Sequence, residues 1–247
     1  YYVPTTFNGQ EVTFLFQEKI TKELLESNQL REGPILEGDE RFLFHTEDAF
    51  KGHNKFLLAR LVNRKWADKG LTSLNISKEA VSILNKAYLE FLLGFHYYES
   101  HNRWFLNSAI LGNNNERATK KNQEFQALMA ALSANHGLMP HNRSFYYDPM
   151  YKYFLPIYYD GYDYYVDLSI DEEITLPNLN KDVIIGSNYA ITSIQNLDKN
   201  KFINQLKILG VNISQKKLDK TLNKIKLSLQ QLSNTPDNNI VDIYKPY

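Results

Sequence analysis

Between Ser144 and Tyr159 the chain carries two short aromatic runs, Ser144 to Tyr147 and Tyr153 to Tyr159, joined by a turn that opens on Asp148-Pro149. On both sides of them, apolar residues recur at helical spacing. Aromatic runs bounded by turn residues read as strands, whereas apolar steps of three and four read as amphipathic helix. The expected class is therefore α+β.

A second hairpin opens the chain. Tyr1 to Phe7 and Gln10 to Gln17 flank Asn8-Gly9, a pair suited to positive φ at both central positions of a tight turn. Thr21 is placed to cap a short helix through Glu26, and the Gly- and Pro-punctuated segment Arg31 to Asp39 reads as loop. From about Asn54 the pattern turns helical, with Leu57, Leu58, Leu61, Val62 and Trp66 on one side. Ser77 is then placed to cap a longer helix carrying Val81, Leu84, Tyr88, Phe91 and Phe95. A third helix, roughly Thr119 to Ala134, puts Phe125, Leu128, Met129 and Leu132 on one stripe and stops ahead of Gly137 and Pro140. Two amphipathic helices are expected to close the chain, the last with Leu218, Leu222, Ile225, Leu229 and Leu232 inward and Lys216, Lys217, Lys220, Lys224 and Lys226 on a solvated face.

Composition narrows the function by exclusion. The 247 residues suffice for a sizeable core, and 28 basic side chains cancel 28 acidic ones, so no global field draws the chain to nucleic acid or an anionic membrane. No apolar run approaches the length of a spanning helix. With no cysteine, thiolate chemistry, disulfides and zinc ribbons are absent. The sequence leaves the oligomeric state open.

The chemistry-bearing stretch is Asn135-His-Gly-Leu-Met-Pro-His-Asn-Arg143, followed by the aromatic hairpin and by Asp160-Gly161 at the end of its second strand. Helix, loop ending in Asn, β-hairpin and terminal Asp-Gly is the order of elements that builds a protein-kinase active site. There an amide oxygen and a carboxylate suit Mg²⁺, which takes hard oxygen ligands. Asn142 and Asp160 are the candidate metal ligands. Each also has a plainer reading, Asn142 as a turn residue and Asp160 as half of an ordinary Asp-Gly turn. Their shared order around the hairpin favours the functional one.

Phe16-Gln-Glu-Lys-Ile20 after the Asn8-Gly9 hairpin, then Asn135, Asn142 and Pro156-Ile-Tyr-Tyr-Asp160, resemble in the same order the motifs of the CotH family of atypical spore-coat kinases. The resemblance spans most of residues 1 to 165. It implies a protein-kinase-like α+β fold in which residues 1–20 are the remnant of a small β lobe with its hinge and 21–247 form a mainly helical large lobe. It further implies ATP with Mg²⁺ or Mn²⁺, transfer of the γ-phosphate to a protein Ser or Thr hydroxyl, Gln17, Glu18 and Lys19 at the nucleotide, and an exported or cell-envelope setting. The strands that would bear a phosphate-binding Lys would precede Tyr1. A second departure is chemical: five residues before Asn142, where the family has its catalytic Asp, this chain has Gly137. His136 and His141 flank that gap, and imidazole as a side-chain type can accept a hydroxyl proton, which makes them candidate bases. Arg143 reads better as a surface ion pair than as a phosphate contact, and His96 and His101 as packing at a helix end. Two alternatives stay open. One is a catalytically inactive kinase-like protein that binds a protein partner through its tyrosine-rich surface. The weaker one is a carbohydrate-active enzyme, for which no suitably placed carboxylate pair is found.

Overall fold

The structure is a computed structural model and describes residues 2–15, 19–39, 58–94, 105–139, 142–159, 161, 179–235 and 240–241. Its first element is the expected hairpin, β1 (Tyr2–Phe7) and β2 (Gln10–Leu15), with Asn8 at φ 49° and Gly9 at φ 77° in the turn. This hairpin forms a sheet of its own. The Tyr2 amide donates to the Leu209 carbonyl, so the hairpin leans on the far C-terminal part of the chain.

Helix α1 (Lys22–Ser27) follows, with Thr21 at its N-cap position. The Thr21 hydroxyl bonds the Glu23 carboxylate and makes no backbone cap. The expected loop Arg31 to Asp39 contains β3 (Ile35–Gly38), and the helical pattern expected from Asn54 becomes β4 (Ala59–Leu61) and a single turn, α2 (Arg64–Ala67). Tertiary pairing overrides local pattern at both places: Leu36 pairs with Leu61 and Ile35 with Tyr146, which makes β3 an interior strand and β4 the edge strand beside it. The aromatic hairpin is β5 (Ser144–Tyr147) and β6 (Phe154–Ile157), and the four strands lie in the antiparallel order β4-β3-β5-β6. Pro156 sits on β6, an edge strand, where a missing amide costs no ladder bond.

Alternation along the strands divides the core. Leu36, Phe145, Tyr147 and Phe154 face α3 (Leu71–Gly94) and α4 (Ser108–Gly112), meeting Ala80, Leu84, Ala87, Tyr88 and Phe91. Ile35 and Tyr146 face the other way, onto Leu25 of α1. Helix α3 begins at Leu71, so Ser77 lies inside it. Its hydroxyl donates to the Ser73 carbonyl at 2.9 Å, the i−4 bond a mid-helix serine makes when no cap is needed.

The rest is helical. Helix α5 (Glu116–Ala131) starts three residues before the expected Thr119, because the Asn115 side chain caps it through the Ala118 amide. With α6 (Lys181–Gln195) and α8 (Gln215–Ser233) it encloses a third cluster containing Ala127, Met129, Leu138, Val183, Leu229 and Leu232. The two expected closing helices are three: Asp198 breaks the run and caps α7 (Lys199–Ile208) by accepting from the Lys201 amide. A two-residue parallel pair, β7 (Leu179–Asn180) with β8 (Ile240–Val241), joins the ends of this part. Among the described residues no helix is long and apolar enough to cross a membrane. The molecule is thus α+β, with a small sheet set against helices.

Candidate functional site

Helix α5 ends against a tight reversal. The Ala134 amide returns to the Met129 carbonyl, Asn135–Leu138 make one 3-10 turn, the Met139 amide bonds the His136 carbonyl, and the Asn142 amide bonds the Met139 carbonyl at 2.9 Å. Leu138 is wholly buried in the helical core and anchors this loop from below. Two successive turns bring the Asn142 side chain back over His136. Asn142 Nδ2 lies 2.9 Å from Nδ1 and 3.0 Å from Nε2 of the imidazole, beside both ring nitrogens, and 3.4 Å from the His136 carbonyl oxygen. Asn142 is only 7% exposed. All three of these contacts run through its amide nitrogen, so its amide oxygen takes no part in them.

The end of β6 comes back to the same loop. A Cβ built on Gly137 would stand 3.2 Å from the Gly161 Cα, 3.4 Å from the Tyr159 carbonyl oxygen and 3.4 Å from the Met129 sulfur. The backbone at 137 therefore touches the chain on both sides of position 160. Glycine permits this close approach, and its use here is spatial, since Gly137 does not sit at positive φ. A Cβ at this position would press on Gly161.

Behind the loop stands α5. Asn122 Nδ2 donates to the Phe154 carbonyl at 2.8 Å, tying the helix to β6. Gln126 accepts from Arg143 Nη1 at 3.3 Å and donates to the Leu106 carbonyl and the Ser108 hydroxyl. Arg143 is fully buried, its guanidinium 4.9 Å from the Phe145 ring centre and 5.7 Å from that of Phe125. The surface position expected for it is thereby corrected: Arg143 is buried just ahead of β5, with two rings and a glutamine among its neighbours. The polar chain continues to Asp182 of α6, which accepts from the Ser108 amide and from Gln123. The sequence pattern hid this network because Asn122, Gln123 and Gln126 look like the solvated side of an amphipathic helix. Three amides interrupting one stripe were the available signal.

Of the other predicted site residues, His141, Asp160, Gln17 and Glu18 lie outside the described residues, as do His96 and His101. Lys19 is described and lies with Trp66 and Arg64 on a pocket of about 470 Å³ between α1 and the β4–α2 connection. The structure thus joins His136 to Asn142 and brings Gly137 onto the neighbours of Asp160, while Lys19 belongs to a separate cavity. Among the described residues no group of three or more His, Asp or Glu stands together as a metal site. The amide oxygen of Asn142 is a suitable hard ligand. Comparison with protein-family models, with curated proteins and with solved structures finds no match for this chain.

Proposed function

We propose that this chain is a kinase-like phosphotransferase resembling the CotH family, taking ATP with Mg²⁺ or Mn²⁺ and a protein Ser or Thr hydroxyl as acceptor. The observation that carries the reading is the packing of Gly137 against Tyr159 and Gly161 beside a buried Asn142. A metal-binding amide and carboxylate taken from a loop and a strand end need such a meeting of the two segments. In this reading the Asn142 amide oxygen and the Asp160 carboxylate hold the cation. The cation, when bound, offsets the negative charge of the nucleotide phosphates. His136 keeps the Asn142 amide turned, because an imidazole nitrogen beside Nδ2 leaves the oxygen as the group for the cation. His136 also lies beside that amide, which in this reading makes it the group to accept the acceptor's hydroxyl proton.

A second reading is favoured by the same close contact. A Cβ at position 137, where the family has its catalytic carboxylate, would press on Gly161 at 3.2 Å, and a protein that keeps nucleotide or partner binding without transfer fits the loss of that group. Met150 and Tyr151 in the turn of the aromatic hairpin, and Tyr158 and Tyr159 past its other end, are exposed and offer apolar surface to a protein partner. The two readings separate in one experiment. The longest available form of the protein, incubated with labelled ATP and Mg²⁺ and a panel of protein acceptors, transfers label in the first reading, and Asp160→Ala and Asn142→Ala abolish it. Binding of ATP without transfer supports the second. Absence of both binding and transfer removes the kinase-like assignment.

A further inference from the structure

The pocket beside Lys19 has a chemistry of its own. Its apolar surface comes from Ile20, Leu25, Val62 and Trp66, and its charged rim from Lys19, Lys22, Arg64, Lys65 and Lys69 against Glu23 and Glu32. Both carboxylates are already engaged. Glu32 pairs with Lys69 and with Lys22, the latter at 3.5 Å, and Glu23 accepts from the Thr21 hydroxyl. The hydrogen bond and charge of Lys69 hold the Glu32 carboxyl below its ordinary range, so it stays ionised and keeps its lysines. Lys19, Arg64 and Lys65 make no ion pair among the described residues. Three uncommitted cations at the mouth of a cavity with a tryptophan wall favour a flat apolar ring that carries negative charge. The size, about 470 Å³, is that of a small-molecule site.

The walls are fixed by structure on either side. The Asn63 side chain accepts from the Ile35 amide and donates to the Gly33 carbonyl, both at 2.8 Å, locking the start of α2 to the beginning of β3. Leu25 packs beneath with Ile35 and Tyr146. The pocket is also separate from the Asn142 loop. Val62 bonds across to Ile35, which pairs with Tyr146, whereas Asn142 precedes Tyr146 by four residues toward the other end of the sheet. At about 3.3 Å per strand residue the two lie on the order of 10 Å apart along the strands.

We infer that this pocket binds a small planar aromatic anion, the ring against Trp66 and the anionic group between Lys19, Arg64 and Lys65. A nucleoside monophosphate and an aromatic carboxylate share that chemistry, and the test distinguishes them. In a Trp104→Phe background the fluorescence of Trp66 reports occupancy during titration, without divalent metal, with AMP, benzoate, adenosine and inorganic phosphate. The expected result is a saturable change by AMP or by benzoate, with adenosine and phosphate at least tenfold weaker. Arg64→Gln with Lys65→Gln, both at exposed positions, weakens the active probe by roughly tenfold or more, since each removes a charge-assisted contact, and Asn142→Ala leaves it unchanged. An equal response to adenosine, insensitivity to the Arg64/Lys65 change, dependence on Asn142, or no saturable response to either aromatic anion overturns the inference.

Discussion

Replacing Gly137 by alanine tests how closely the loop and the strand end are pressed together. The new methyl would meet the Gly161 Cα at 3.2 Å and the Tyr159 carbonyl oxygen at 3.4 Å. Unstrained carbon contacts lie at about 3.5–4.0 Å, so the 159–161 backbone has to retreat by a few tenths of an ångström. Overpacking of this kind costs about 1–3 kcal/mol. Against it stands a gain of about 0.4–1 kcal/mol, because alanine has fewer unfolded conformations to lose than glycine. The net expectation is a loss of about 1 kcal/mol, and more for Gly137→Asp, whose side chain is larger. Urea denaturation followed by intrinsic fluorescence reads this directly. With a slope of about 1–3 kcal/mol per molar urea, the midpoint for Gly137→Ala falls by roughly 0.3–1 M. A midpoint equal to or above that of the parent protein would refute the close approach.

Other expectations follow from the same packing. Asn122→Ala removes the side chain that donates to both the Ala118 and Phe154 carbonyls; the cost is about 1–3 kcal/mol for buried acceptors left without that donor, read as a lower Tm. Alkaline pH destabilises the fold through Tyr88, Tyr146 and Tyr147, whose pKa values burial raises well above the ordinary 10. The neutral forms are favoured in the folded state, so their contribution is intact below about pH 10 and is lost as pH rises beyond it. Tm measured between neutral and strongly alkaline pH should be flat and then fall, with Tyr88→Phe reducing the fall. Lys69→Ala should move the Glu32 carboxyl back up toward its ordinary range, seen by side-chain NMR titration, with a small effect on stability because the pair is largely exposed. An unmoved Glu32 would show that the pair does not persist in solution.

Much of the fold was legible where local pattern and final environment agree. Asn8-Gly9 demanded a hairpin, the aromatic runs demanded strands, and Leu218, Leu229 and Leu232 kept the helical spacing of a buried stripe. Pattern failed where the decisive partner lies far along the chain. Ile35–Gly38 and Ala59–Leu61 are strands because of what they pair with, and a four-residue run ahead of a glycine carries little period of its own. At the candidate site the order of the motifs pointed to the loop and the strand end together, and Gly137 does pack on Tyr159 and Gly161; the contact of Asn142 with His136 was not foreseen. The burial of Arg143 was not legible, since its neighbours Phe125 and Gln126 come from a helix whose polar residues look solvated. Trp66 and most of the cations around it were missed for a related reason: the pocket draws on three separate segments, and of these only the one with Lys19 and Ile20 carries a motif.

The central claim, that a metal-bound nucleotide sits where the Asn142 loop meets the end of β6, is tested most directly by paramagnetic relaxation in NMR spectra of the protein titrated with ATP and Mn²⁺. The account predicts that the backbone signals of Gly137, Asn142 and Gly161 broaden first, that those of Leu229 and Leu232 in the helical core persist, and that Asp160→Ala abolishes the selective broadening. Uniform broadening, or selective loss of signals elsewhere while Asn142 and Gly161 remain sharp, would contradict it.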